Sequence, residues 1–157
     1  MKKIVLGLGI VTVFAAGCLK NNDDDYKPCV VRTLEQDKPL MNKFATDSSI
    51  TVTEDPSGIL YQIIQPGSST TPSKSSLIMA KYVGRNLSGV LFDSGQFDRP
   101  YALSGLISGW QIILPKIGVG GRMKMIIPSS LAYGCLGPTA AVYNQPLYFD
   151  VELISVQ

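Results

Sequence analysis

The chain has 157 residues, with 14 Lys and Arg against 12 Asp and Glu and no histidine, for a net charge of +2. Without histidine a Ser–His triad cannot be built, and the three cysteines do not cluster at zinc-ligand spacing. So even a charge balance favours neither nucleic acid nor acidic partners, and the length suits one ordinary domain plus a tail.

Lys2 and Lys3 form a positive start ahead of the apolar stretch Ile4 to Ala16. That stretch is too short to span a bilayer and has the length of a secretory signal's hydrophobic region. It ends in Ala15-Ala16-Gly17-Cys18, which resembles a lipobox, small residues ahead of a cysteine that is diacylated before cleavage. The expectation is a lipoprotein signal peptide over residues 1–17 and lipidation, as with palmitate, at Cys18; a plain secretory signal ending at Gly17 is the alternative. Each buried CH₂ of a lipid chain contributes about 0.8 kcal/mol, so a multiply acylated cysteine holds a chain on a membrane. Leu19 is not the Asp that signals inner-membrane retention in Gram-negative lipoproteins, which favours the outer membrane. Asn21-Asn22-Asp23-Asp24-Asp25 reads either as an acidic tag for surface export or as a solvated tether. Loss of Lys2 and Lys3 leaves a mature chain with no net charge.

Residues 18–49 are expected to hold the lipidated cysteine, a polar tether and a short helix. The helical pattern runs from about Leu34 to Ser48, with Leu40 and Phe44 one turn apart and Pro39 near the start. A domain over residues 50–157 follows. Asp55-Pro56-Ser57-Gly58 is a turn that introduces a strand over Ile59 to Ile64, rich in β-formers. Gln65 to Ser76 reads as a long exposed loop. Ile78, Ala80 and Tyr82 then fall on one face of a strand and Met79 and Lys81 on the other. Asn86-Leu87-Ser88-Gly89 is a hairpin turn, and Val90-Leu91-Phe92 starts the return strand. Ser108 is placed to cap a short helix in which Trp110, Ile113, Leu114 and Ile117 share one face. Gly118-Val119-Gly120-Gly121 breaks it; these glycines follow a helix and read as a turn, not a phosphate cradle. Met123, Met125 and Ile127 alternate with Lys124 and Ile126, and Leu147, Phe149, Val151 and Leu153 with Tyr148, Asp150 and Glu152. Such alternation belongs to antiparallel strands with one covered face. The expected fold class is α+β, a twisted antiparallel β-sheet wrapped around one short α-helix.

Five fragments carry a resemblance: Lys81-Tyr82, Leu91-Phe92-Asp93, Leu106-Ile107-Ser108-Gly109-Trp110, Leu131-Ala132-Tyr133-Gly134 and Tyr148-Phe149-Asp150-Val151. In this order and spacing the chain resembles the FKBP-type peptidyl-prolyl cis-trans isomerases over roughly residues 50–157. The resemblance implies an FKBP-like sheet and a shallow aromatic pocket in which an X–Pro bond rotates, with no cofactor, no metal and no oligomer required. It implies that Trp110 is the pocket floor, that Tyr82, Phe92 and Phe149 are its walls, and that Asp93 is the acidic group beside it. Tyr133 would reach the substrate with its hydroxyl. Leu106 and Ile107 would be an aliphatic pair whose first backbone amide bonds the bound peptide's carbonyl. Asp93 also reads as a turn-capping residue before Ser94-Gly95.

The chain departs from the family at the flap, where Ala141-Val142-Tyr143-Asn144 stands in place of an Ile-Pro-Pro-Asn run, leaving Ala141 or Val142 to make that substrate contact. Tyr101 stands in the region of a family phenylalanine. With Cys18 lipidated, Cys29 and Cys135 are an even pair in an oxidising compartment; a disulfide between them and two reduced thiols both remain open. The implied activity is isomerisation of X–Pro bonds in polypeptides folding in the cell envelope, by a monomer anchored through lipid. A proline-peptide binding or chaperone module with little turnover is a second reading, and a surface adhesin or scaffold a third.

Overall fold

The structure, a computed structural model, describes residues 28–157; the signal peptide, Cys18 and the acidic stretch expected from the sequence lie outside the described residues. Helix α1 (Leu34–Asp47) begins with a reciprocal cap. The Gln36 amide donates to the Thr33 hydroxyl at 3.3 Å, and the Thr33 amide donates to Gln36 Oε1 at 2.9 Å. Two N–H groups that a helix start leaves without partners are thereby satisfied. The helix runs on through Pro39, whose ring nitrogen has no hydrogen to give the Glu35 carbonyl. Its buried face is Asp37, Met41 and Ala45, and this corrects the expected Leu40–Phe44 pairing: Leu40 is exposed and Phe44 half-buried.

Among the described residues seven strands form one sheet: β1 (Thr53–Glu54), β2 (Leu60–Gln65), β3 (Leu77–Asn86), β4 (Leu91–Gln96), β5 (Tyr101–Ala102), β6 (Arg122–Ile127) and β7 (Leu147–Val156). Their order is β1-β2-β6-β7-β3-β4, with β5 also pairing β3, and every pairing is antiparallel. The turns follow local side-chain chemistry. The Asp55 carboxylate accepts the Ser57 amide at 2.9 Å and its hydroxyl at 2.6 Å, and Gly58 supplies the positive φ of +84° that other residues adopt only at a cost. Between β3 and β4 the Asn86 side chain accepts the amides of Ser88 and Val90, both at 3.0 Å.

Helix α2 (Ser108–Ile113) continues as a 3-10 turn over Leu114–Lys116. Ser108 does not cap it as expected. Ile107 takes the cap position in extended conformation (φ −56°, ψ 148°), so Ser108 is already helical and no side chain closes the helix start. Trp110, Ile113, Leu114 and Ile117 are all buried, and each such side chain contributes about 1.5–3 kcal/mol of burial. They pack on the inner sheet face with Ile78, Ala80, Met123, Met125, Ile127, Phe149, Val151 and Leu153. The sheet thus wraps the short helix, as the alternation predicts.

The outer face is not wholly open. Leu60 and Ile126 point the other way and are buried beneath Met41 and Ala45 of α1, with Phe44 and Tyr148 beside them. Ile126, read as part of the open face, is therefore core. Gly84 permits the closest approach on the inner face. It pairs with Phe149 of β7 and Asp93 of β4, and a Cβ there would stand 2.7 Å from Phe92 and 2.9 Å from Phe149.

Candidate active site

Trp110, in the first turn of α2 and 3 % exposed, receives three aromatic neighbours. Tyr82 of β3 and Phe149 of β7 meet it edge to face, at centroid distances of 5.6 and 5.5 Å, and Phe97 lies tilted at 6.3 Å. Edge-to-face pairs set a ring's positive rim against a negative face and add about 0.5–1.5 kcal/mol beyond burial. These four rings, with Asp93, Leu106, Ile107 and Tyr133, line a cavity of about 70 Å³. Drug-sized ligand sites run to roughly 300–1,000 Å³, so this one suits a single small ring.

Four polar groups face that apolar box. The Tyr82 hydroxyl donates to Asp93 Oδ2 at 2.9 Å. Asp93 sits inside β4, which removes the reading of a turn cap. The Tyr133 hydroxyl has no partner among the described residues, and neither does the backbone N–H of Ile107, whereas the Leu106 amide donates to the Leu103 carbonyl at 3.1 Å. The first amide of the aliphatic pair is thus engaged, contrary to expectation, and the second is free. Gln111 holds this loop by donating to the carbonyls of Leu106 at 2.7 Å and Ser104 at 3.2 Å.

Burial, followed by the hydrogen bond to Asp93 and its charge, pushes the Tyr82 phenol up to about 12. Burial first and Asp93 second raise Tyr133 as well. Both phenols are therefore neutral donors at ordinary pH. An unfolded chain loses the tyrosine proton near 10 while the folded one keeps that of Tyr82 to about 12. Stability present below about pH 10 is lost as pH rises through about 12. Melting temperature should therefore fall across that window, and fall less steeply in Tyr82→Phe. Identical slopes for the two proteins would show that Tyr82 is not the phenol the fold keeps protonated.

The remaining expected residues divide. Phe92 stands behind Phe149, edge to face at 5.6 Å, and with Asp93, Tyr133, Pro138, Thr139 and Val142 lines a neighbouring cavity of about 180 Å³. Val142 thus faces the approach to the aromatic box, while the half-buried Ala141 lines neither cavity. Tyr101 is 44 % exposed and does not reach the box; its ring supports Phe97 from behind at 5.7 Å. Phe97 was not anticipated and fills the place expected of Tyr101. Strand alternation does signal it: Asp93, Gly95 and Phe97 share one face, and Gly95, opposite Tyr82, leaves room for the Phe97 ring to meet Tyr82 at 5.5 Å.

The flap between β6 and β7 carries Tyr133 and Val142. Cys29 and Cys135 are joined by a disulfide that pins the flap to the N-terminal segment, their Cα atoms 5.9 Å apart across 106 residues of chain.

A sequence model of the family described as FKBP-type peptidyl-prolyl cis-trans isomerase matches residues 68–154. The isomerase FkpA of Escherichia coli is 33 % identical over 128 residues, covering 76 % of this chain and 45 % of its own. The outer membrane protein MIP of Legionella longbeachae is 34 % identical over 108 residues, covering 65 % and 46 %. The crystal structure of a peptidyl-prolyl cis-trans isomerase from Pseudomonas syringae superimposes with a TM-score of 0.65 at 29 % identity, covering 82 % of this chain and 98 % of that one. The chain spans less than half the length of the two curated relatives named here. The sheet wrapped around α2 is the FKBP-like fold, and with the family model matching more than half of its length the chain belongs to the FKBP-type peptidyl-prolyl cis-trans isomerases.

Proposed function

We propose that this chain accelerates cis–trans rotation of X–Pro bonds in polypeptides that fold in the cell envelope. The observation that carries this reading is the aromatic box on Trp110 with two unengaged donors, Ile107 N–H and Tyr133 Oη, at its rim. Rotation of a peptide bond has a barrier of about 18–20 kcal/mol because the planar amide is resonance-stabilised, while cis and trans X–Pro differ by only about 0.5–1 kcal/mol. No bond has to break, so no nucleophile or metal is called for. The proline ring packs on Trp110 between Tyr82, Phe97 and Phe149. Water, which favours the planar, charge-separated carbonyl, is displaced from it. The Ile107 amide and the Tyr133 hydroxyl then hold carbonyl oxygens of the substrate on either side of the rotating bond. Contacts that fit the twisted amide better than either planar isomer lower the barrier by differential binding.

The Tyr82–Asp93 bond keeps the wall ring in place and leaves the second Asp93 oxygen beside the pocket. Residues 18–49 are read as the lipidated cysteine, a polar tether and helix α1, and residues 50–157 as the isomerase domain. Cys18 as a lipidated residue and the outer membrane as the site of anchoring rest on the Ala15-Ala16-Gly17-Cys18 run; an envelope location is also supported by a relative named an outer membrane protein. Val142, from the neighbouring cavity, is the flap residue assigned to the substrate's flanking side chain.

A series of short X–Pro peptides tests the activity. Clear acceleration by the full chain is expected. Tyr133→Phe should lower kcat/KM roughly tenfold without lowering the melting temperature, the value of about one hydrogen bond in the transition state. A folded protein that binds these peptides, seen by emission of its single tryptophan, but does not accelerate them would be a proline-peptide binding module instead.

A further inference from the structure

The Tyr133 hydroxyl, at the pocket, has no partner among the described residues, and the flap that carries it is held at both ends. At the flap's entry the Asp37 carboxylate of α1, fully buried, accepts the Ser129 amide at 2.8 Å and the Ser129 hydroxyl at 2.6 Å, and its other oxygen accepts Arg32 Nε at 2.6 Å. At the exit Asn144, in the left-handed region at φ +49°, accepts the Arg32 amide at 2.9 Å and donates to the Val30 carbonyl at 2.9 Å. The Asn144 amide in turn donates to the carbonyl of Gly134, beside Tyr133, at 2.7 Å. Apart from the Asn144–Gly134 bond, these tethers come from residues 30–37, outside the stretch that the family model matches. A buried charge is costly unless fully paired, and charge-assisted bonds are short and directional. Asp37 meets both conditions, and its partner Ser129 lies 92 residues away in sequence.

We propose that Asp37 is a positioning residue for the isomerase site: by clamping Ser129 at the start of the flap, it aims the Tyr133 hydroxyl at the substrate carbonyl. The proposal rests on the isomerase reading above. Its test is a double-mutant cycle on the full chain with Asp37→Asn, Tyr133→Phe and the pair, measured as kcat and KM on an X–Pro peptide. Asp37→Asn should lower kcat roughly tenfold with KM little changed, and the pair should lose no more than Tyr133→Phe alone. Wild-type kcat in folded Asp37→Asn, or losses that multiply, would overturn the proposal, since a merely structural role would not saturate with Tyr133. Should Asp37→Asn fail to fold, Ser129→Ala removes the hydroxyl arm alone and is read in the same cycle. Should the wild type not accelerate the peptide at all, the isomerase reading fails, and hydrogen exchange then decides whether Asp37 sets the flap. Faster exchange at residues 130–134, with β6 and β7 unchanged, supports the clamp; equal exchange there overturns it.

Discussion

Replacing Trp110 with alanine is expected to destabilise the domain by about 3–5 kcal/mol, the range for truncating a buried tryptophan. The ring is 3 % exposed and meets Tyr82, Phe97 and Phe149 within 6.3 Å, so its loss opens a cavity that three other rings cannot fill without leaving their own partners. The melting temperature should fall on the order of 10 °C. Isomerase activity should be lost even at temperatures where the variant is folded, because the surface under the proline ring has gone. Trp110→Leu separates the two effects: it restores part of the core volume and should recover stability more than turnover. A Trp110→Ala protein with wild-type kcat/KM would move the reaction away from this pocket altogether.

Removing the disulfide carries the second large effect. A bridge closing 106 residues takes about 4–5 kcal/mol of chain entropy from the unfolded state in the loop-closure model, an upper figure. Cys29→Ser with Cys135→Ser should lower the denaturant midpoint accordingly, and reductant should do the same to the wild type while leaving the double variant unmoved. A wild type whose reduced thiols are verified by titration and whose midpoint is unchanged would contradict the bridge. Part of the loss should be local, since the bond joins the flap to a segment that α1 and Asn144 already hold.

The strands were legible because their alternation is local: Met123-Lys124-Met125 and Phe149-Asp150-Val151 declare a face by themselves. The box was legible because its rings come at family spacing, and Tyr82, Trp110, Tyr133 and Phe149 do converge. What escaped depends on residues distant in sequence. Asp37 looks like a solvated first-turn carboxylate, and only Ser129, 92 residues on, makes it core. Leu40 looks like the apolar anchor of α1, but the helix is rotated so that Asp37 meets its partner and Met41 meets Leu60 and Ile126. Phe97 lies just past β4, before a two-residue strand that turns Tyr101 outward. The engaged Leu106 amide follows from a 3-10 turn at Leu103–Gly105 that no side-chain pattern announces.

The position of β7 in the sheet governs how this molecule can be made. It lies between β6 and β3, pairing Met123 with Val151 on one side and Ile78 with Val156 on the other. A chain emerging N-terminus first therefore completes β3 and β6 with no strand to join them. Until residue 156 is available, each offers a row of unsatisfied backbone groups, the feature that recruits foreign strands. Pairings between such distant segments also form slowly. A protein of a family that rotates proline bonds in other chains thus leaves two strand edges of its own unpaired until its last strand is in place.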